Sequence, residues 1–216
     1  KAVLDTCSRL EKYNYRVTYV PVDSRGCVAV DAIMNAITDQ TVLVTIMVAN
    51  NEIGTIAPVQ EIGAFCRKRG VVFHTDATQA VGRIPIDVVG MNIDLMSFNA
   101  HKMHGPKGIG ALYLSRVQSR LNVRQQIDGG GHEQGLRSGT LNVPAIVGFG
   151  KACGIAQAEM GDEAVRIGTL RDRLVAGITS RIHGVSVNGH PTSRLPNNAN
   201  ITFARVNADR LMMDMK

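Results

Sequence analysis

Apolar positions recur along the chain in two rhythms that take turns. Residues 41–49, "TVLVTIMVA", form an unbroken apolar run of strand length, the pattern of a parallel strand buried on both faces. Residues 57–70, "APVQEIGAFCRKRG", space their apolar positions at helical intervals, with Pro58 near the first turn and Gly70 at the end. The same reading predicts strands at 16–22, 71–77, 94–100 and 108–115. It also predicts a short helix at 31–38 with Asp31 as its cap. From Pro144 to Ile182 the pattern is helical and long, with a break expected near Met160 and Gly161. Two further strands, 185–189 and 200–206, flank a turn rich in Pro and Asn at 191–198, and a helical pattern follows from Asn207. Strands alternating with helices argue an α/β fold with a mainly parallel sheet, and the last third reads as the start of a smaller α+β unit.

Composition narrows the picture only a little. With 216 residues, 44% hydrophobic and 19% charged, the chain has enough apolar surface for a sizeable core. No apolar run reaches the length of a membrane-spanning helix, so no membrane is expected among its partners. The net charge of +6 invites a nucleic-acid reading. The basic residues are dispersed, however, and aromatics make up 4%, so nucleic-acid binding is not expected. Four cysteines stand far apart without a C-x-x-C pair, which argues against a zinc site or a disulfide framework and fits a reducing compartment. The first residues show neither a signal-peptide nor a transit-peptide pattern. With no initiator Met, the chain reads as a piece of something longer.

The polar residues change the picture more, because they gather where strands end. Asn50, Asn51 and Glu52 follow the run 41–49; Asp76 and Gln79 follow 71–77; Asn99, His101 and Lys102 follow 94–100. In open α/β sheets ligands bind at the carboxyl ends of strands. Taken singly, each has an ordinary explanation: Asp76 as a cap for 78–81, Asn50 and Asn51 as a turn, His101 as a structural imidazole, Lys102 as a surface lysine. Taken together they bring a lysine, a carboxylate and several amides to one crevice. Those are the groups a pyridoxal 5′-phosphate (PLP) site uses, a lysine for the Schiff base and an acid to keep the pyridine nitrogen protonated. A second glycine-rich element, "DGGGHEQGLRSGT" at 128–140, could bring backbone N–H groups and the hydroxyls of Ser138 and Thr140 to a phosphate, although it lacks the P-loop pattern.

Three stretches, "HTDATQAVGRIPIDV", "DLMSFNAHKMHGPKGIGALY" and "GGGHEQGLRSGTLNVPAIVGFG", together with "KAVLDTC" and "VANNEIGTIAPVQEIG", resemble the cysteine desulfurases of the NifS/IscS type. These are fold-type I PLP enzymes of the class-V aminotransferase family, and the likeness covers the chain in order. It implies a PLP-binding large domain at 1–160, lacking its N-terminal part, and the beginning of a small domain at 161–216. Carried over, Lys102 is the lysine of the internal aldimine, Asp76 the partner of the pyridine nitrogen and Gln79 the donor to the ring O3′. Asn51 contacts cofactor or substrate carboxylate, Asn99 and His101 lie where phosphate is bound, and Thr140 reaches the phosphate of a neighbouring subunit. That last role implies a homodimer.

The implied activity is removal of sulfur from L-cysteine, giving L-alanine and an enzyme persulfide for iron–sulfur scaffold or sulfur-carrier proteins. The implied location is the cytoplasm, or the mitochondrial matrix in a eukaryote. Selenocysteine lyase, another class-V relative, or a non-catalytic PLP-fold binding or scaffold protein are the alternatives. This sequence departs from the family at Asn99, where serine is usual, and at His104, where tyrosine is usual. The family's ring-stacking histidine falls just before residue 1 and its persulfide cysteine beyond residue 216, so the chain alone is expected to be inactive.

Overall fold

The computed structural model describes residues 2–116 and 121–215. Three strands run in one direction at its centre: β1 (Leu43–Met47), β2 (Val72–Asp76) and β3 (Leu95–Asn99). A fourth, β4 (Gly110–Leu114), returns antiparallel beside β3, so the sheet order is β1-β2-β3-β4. The mainly parallel sheet expected from the alternating pattern is therefore present.

The register sorts the sheet into two faces. Thr45 pairs with His74, Phe73 with Val44, and Asp76 with both Met47 and Ser97. Since side chains alternate along a strand, Phe73, Thr75 and Met96 share one face while Thr45, His74, Asp76, Ser97 and Asn99 share the other. The first face carries the core. Helix α3 (Val59–Arg69) lays Val59, Ile62 and Cys66 against it, at i, i+3 and i+7. Phe73, Ile62, Val48 and Ile93 are almost fully enclosed there, each contributing about 1.5–3 kcal/mol by burial. Pro58 precedes α3 and Gly70, at φ 68°, closes it, as the sequence suggested. Helix α2 (Val30–Ala36) joins the same core through Ile33.

Several expectations need correction. β1 is not buried on both faces: Val44 and Ile46 pack on the core, while Leu43 and Met47 are 43% and 40% exposed on the other face. It is an edge strand of this sheet, and its apolar run continues into the buried Val48 and Ala49. Residues 16–22 form no strand; only Val22 makes an isolated bridge, to Val28. Pro21 offers no N–H, and Asp23 Oδ1 accepts from the N–H groups of Arg25 and Cys27, folding the segment into a turn. Asp31 is not a cap: Ala29 holds that position, and the carboxylate stands in the first turn of α2.

Helix α4 (Val143–Thr179) is a single rod of 37 residues, with no break at Met160 and Gly161. One glycine costs about 1 kcal/mol in a helix, too little to interrupt neighbours such as Ala158, Glu159, Glu163 and Ala164 that favour it. Asn142 caps the start of α4, accepting from the N–H of Ala145 at 3.2 Å. Phe149 and Ala152 then pack on Phe98, Ala100 and Met103 at the end of β3. The remaining elements are the helix α1 (Ala2–Glu11), which the pattern reading missed, the hairpin of β5 (Val185–Asn188) and β6 (Asn200–Phe203), and α5 (Ala208–Asp214) capped by Asn207. Among the described residues no helix is long and apolar enough to cross a membrane.

Candidate active site

Because β1, β2 and β3 are parallel, the polar clusters that follow them emerge at one edge of the sheet. Asp76 is the last residue of β2 and Asn99 the last of β3, on the face opposite the α3 core. Asp76 Oδ1 accepts from the N–H of Thr78 at 2.9 Å, in an Asx turn and not a helix cap. Its Oδ2 has no hydrogen-bond partner among the described residues, which leaves a carboxylate oxygen able to receive a ring N–H. Gln79 follows in the same tight turn and is half-buried, its amide making no side-chain hydrogen bond among the described residues.

Lys102 sits in a single 3-10 turn, His101–Met103, that leaves β3 directly. Its N–H donates to Asn99 Oδ1 at 3.2 Å, and its carbonyl accepts from Arg83 Nη2 at 2.9 Å. Among the described residues its ammonium group makes no hydrogen bond or ion pair. His101 is exposed, and His104 ends the turn in the left-handed conformation at φ 65°. Asn99 thus directs its oxygen at the Lys102 turn, and its amide N–H groups make no hydrogen bond among the described residues.

Asn50 behaves as a turn residue, its Oδ1 accepting from the N–H groups of Glu52 and Ile53 at 2.8 and 3.0 Å. Asn51 stands exposed on that turn. The turn is strapped from the far end of the chain: Arg194 donates to the carbonyl of Ile53 at 3.0 Å and Asn198 to that of Glu52 at 2.8 Å. Thr140 is exposed in the loop before α4 and is hydrogen-bonded to none of these groups. In the same loop Ser138 is 2% exposed and its hydroxyl accepts from the N–H of Gly131 at 3.3 Å, so it braces the glycine run instead of facing outward.

Two groups escaped the sequence reading. His74 is on the Asp76 face, its Nδ1 2.7 Å from Thr45 Oγ1. Burial pushes this imidazole below its usual range, against the Asp76 carboxylate, which raises it. The period of two between His74 and Asp76 would have revealed the shared face. Arg83 is the other, and nothing local in "GRIPI" signals its contact with Lys102. A groove of about 220 Å³ is lined by Arg83, Lys102, Met103, Ala156 and Glu159, among others. Asp76, Gln79 and Asn99 are not among the residues that line it. Burial raises the thiol of Cys66 to about 11 and those of Cys27 and Cys153 above their ordinary value, so these three are neutral thiols at neutral pH.

Asp76 closes β2, and Lys102 follows directly on the adjacent parallel strand β3, its ammonium without a hydrogen bond or ion pair among the described residues. Residues 1–215 match the profile of aminotransferase class-V. The chain belongs to the class-V aminotransferase family. Among curated members of this family it is 48% identical over 216 residues to cysteine desulfurase IscS of Clostridium botulinum, covering 99% of this chain and 54% of that protein. It is 48% identical to the mitochondrial cysteine desulfurase of Arthroderma benhamiae, covering 100% of this chain and 42% of that one. A solved NifS-like protein superposes with a TM-score of 0.92 at 40% identity, over 98% of this chain and 57% of its own. This chain therefore spans about half the length of the class-V relatives it matches. The fold-type I large-domain architecture expected from the resemblance is present.

Proposed function

We propose that this chain carries the cofactor site of a PLP-dependent cysteine desulfurase. The observation that carries the reading is that a Lys102 ammonium and an Asp76 carboxylate oxygen, neither with a hydrogen-bond partner among the described residues, follow adjacent parallel strands at one sheet edge. In this reading Lys102 bonds covalently to PLP, Asp76 accepts from the pyridine nitrogen, Gln79 donates to the ring O3′, and Asn99 and His101 hold the phosphate. Asn51 meets the cofactor or the substrate carboxylate. Thr140, exposed in the loop before α4, serves the phosphate of a neighbouring subunit in a homodimer. The residues fit the group: they offer a nucleophilic amine, one free carboxylate oxygen, amide donors and a glycine-rich loop braced by Ser138.

PLP would supply an electron sink for bond breaking at the substrate Cα. The chain's own contribution is to hold that sink charged through Asp76 and to present Lys102 from a fixed turn. The reaction is release of L-alanine from L-cysteine with sulfur retained as a persulfide and passed to iron–sulfur scaffold or sulfur-carrier proteins. The setting is the cytoplasm, or the mitochondrial matrix in a eukaryote. The division into a large domain at 1–160 and the start of a small one at 161–216 belongs to the same reading, with the unbroken α4 common to both.

The test is borohydride reduction in the presence of PLP, followed by peptide mass mapping. A pyridoxyl adduct at Lys102 is expected. An adduct at Lys107 or Lys151 with none at Lys102 would refute the assignment.

A further inference from the structure

Both peptide groups that flank the Cα of Lys102 are held by side chains. The N–H on one side donates to Asn99 Oδ1 at 3.2 Å, and the carbonyl on the other accepts from Arg83 Nη2 at 2.9 Å. Fixing both peptide planes fixes the Cα–Cβ direction, and with it the origin of the lysine side chain. Asn99 comes from the end of β3, whereas Arg83 comes from the loop after β2, the loop that begins with Asp76 and Gln79. That loop is tight: Ala80 N–H donates to the Ala77 carbonyl at 2.9 Å, and Arg83 N–H to the Ala80 carbonyl at 2.9 Å. Gly82, at φ 76°, lets it approach Met103 and Ala156 closely enough for the guanidinium to reach the Lys102 turn.

Arg83 is an expensive residue to put there. It is half-buried, no carboxylate forms an ion pair with it among the described residues, and its Nε is buried without a partner. Burial disfavours its charged form. An apolar side chain of similar length would fill the groove at lower cost. What the guanidinium adds is a charge-assisted hydrogen bond to one carbonyl, that of Lys102.

We propose that Arg83 is a positioning residue that ties the Asp76–Gln79 loop to the backbone of Lys102 and so sets the lysine's approach to the cofactor. This rests on the reading of Lys102 as the PLP lysine. The bond couples the loop that carries Asp76 and Gln79 to the turn that carries Lys102, so that a shift of one carries the other.

The experiment compares Arg83→Gln, Arg83→Met and Arg83→Lys with the parent, in the full chain. The first readout is the rate of PLP attachment to Lys102, trapped with borohydride, together with the visible circular dichroism of the bound chromophore. The second needs no cofactor: hydrogen exchange at the amides of Met103 and Gly105, both of which donate to the Ala100 carbonyl. Arg83→Gln and Arg83→Met should slow attachment by about ten- to a hundredfold, since a misplacement of about 1 Å can cost on the order of a hundredfold in rate. They should also change the dichroism and speed exchange at both amides. Arg83→Lys, which keeps a charged donor, should recover most of each.

A role in packing alone would lower thermal stability without altering these signals in the folded protein, and Arg83→Met, which keeps the buried stem, guards against an unfolded Gln variant. Attachment at the parent rate with unchanged dichroism and unchanged exchange would overturn the proposal. If the parent itself forms no adduct at Lys102, the PLP reading fails and this proposal with it; parent-like exchange in the variants with normal adduct formation defeats the proposal alone.

Discussion

Replacing Gly82 by alanine should destabilise the protein by about 1–4.5 kcal/mol, and the figure can be assembled from separable parts. The residue sits at φ 76°, where an L side chain costs about 1–2 kcal/mol. An added Cβ would meet Ala156 Cβ at 3.1 Å and Met103 Cβ at 3.2 Å, both closer than ordinary van der Waals contact. Relieving that squeeze between the loop, the Lys102 turn and α4 costs about 1–3 kcal/mol. The reduced entropy of the unfolded chain returns about 0.4–1 kcal/mol.

Two companion substitutions isolate the parts. Gly108 has φ 82° but no atom within 4 Å of the added Cβ, so Gly108→Ala should cost only about 1 kcal/mol. Gly150 lies exposed on α4 with the same open surroundings and no positive φ, so Gly150→Ala should stabilise by about 0.5–1 kcal/mol. Urea unfolding followed by far-ultraviolet circular dichroism at pH 7 measures all three. A Gly82→Ala cost no larger than that of Gly108→Ala would show that the loop does not press on α4 and the Lys102 turn as described.

Asp76→Asn should leave Lys102 able to react with PLP but weaken PLP binding by about tenfold or more, since a charge-assisted hydrogen bond of about 1.5–3 kcal/mol is lost; equilibrium titration reads this, and parent-like affinity would count against the role. His74 has its folded pKa below the ordinary 6.5, so unfolding takes up a proton between those two values. Its contribution to stability is complete above pH 6.5 and is lost as the pH falls through the folded value, with a slope of at most about 1.36 kcal/mol per pH unit. Urea midpoints from pH 8 to 5 should therefore fall less steeply in His74→Gln, and coincident pH profiles would refute the assignment. Phe149→Ala should cost about 3–4 kcal/mol, because Phe149 is 8% exposed and its ring stands 5.6 Å from that of Phe98, edge to face. An unchanged unfolding midpoint would mean that α4 is not seated on the end of β3.

Much of this was written locally. The alternation that predicted β2, β3, β4 and α3 is a direct imprint of side-chain periods on a half-buried surface, and it located Asp76, Asn99 and Lys102 at strand ends without any knowledge of the sheet. The glycine and proline that bracket α3 act within one turn of chain, so they too were legible. Where local signals misled, a distant partner or its absence was decisive. Residues 16–22 have strand-like composition, but a strand exists only if another lies alongside, and Asp23 turns the chain away. Gly161 looks like a break, yet a helix of 37 residues has neighbours enough to carry one weak position.

The site divides in the same way. Residue types and their order named the lysine, the carboxylate and the amides, because chemistry of that kind resides in the side chains themselves. Whether they share a face depends on strand direction and register, and only the parallel pairing of β2 with β3 brings Asp76 level with Ser97, on the face where Asn99 stands two residues further along. The clamp of Arg83 on the Lys102 carbonyl and the strap of Arg194 on the Ile53 carbonyl span 19 and 141 residues. A side chain donating to a distant backbone carbonyl leaves no pattern in the acceptor's sequence, since every residue has that carbonyl. Such bonds come into being only when the chain is folded, and one of them fixes the carbonyl of Lys102.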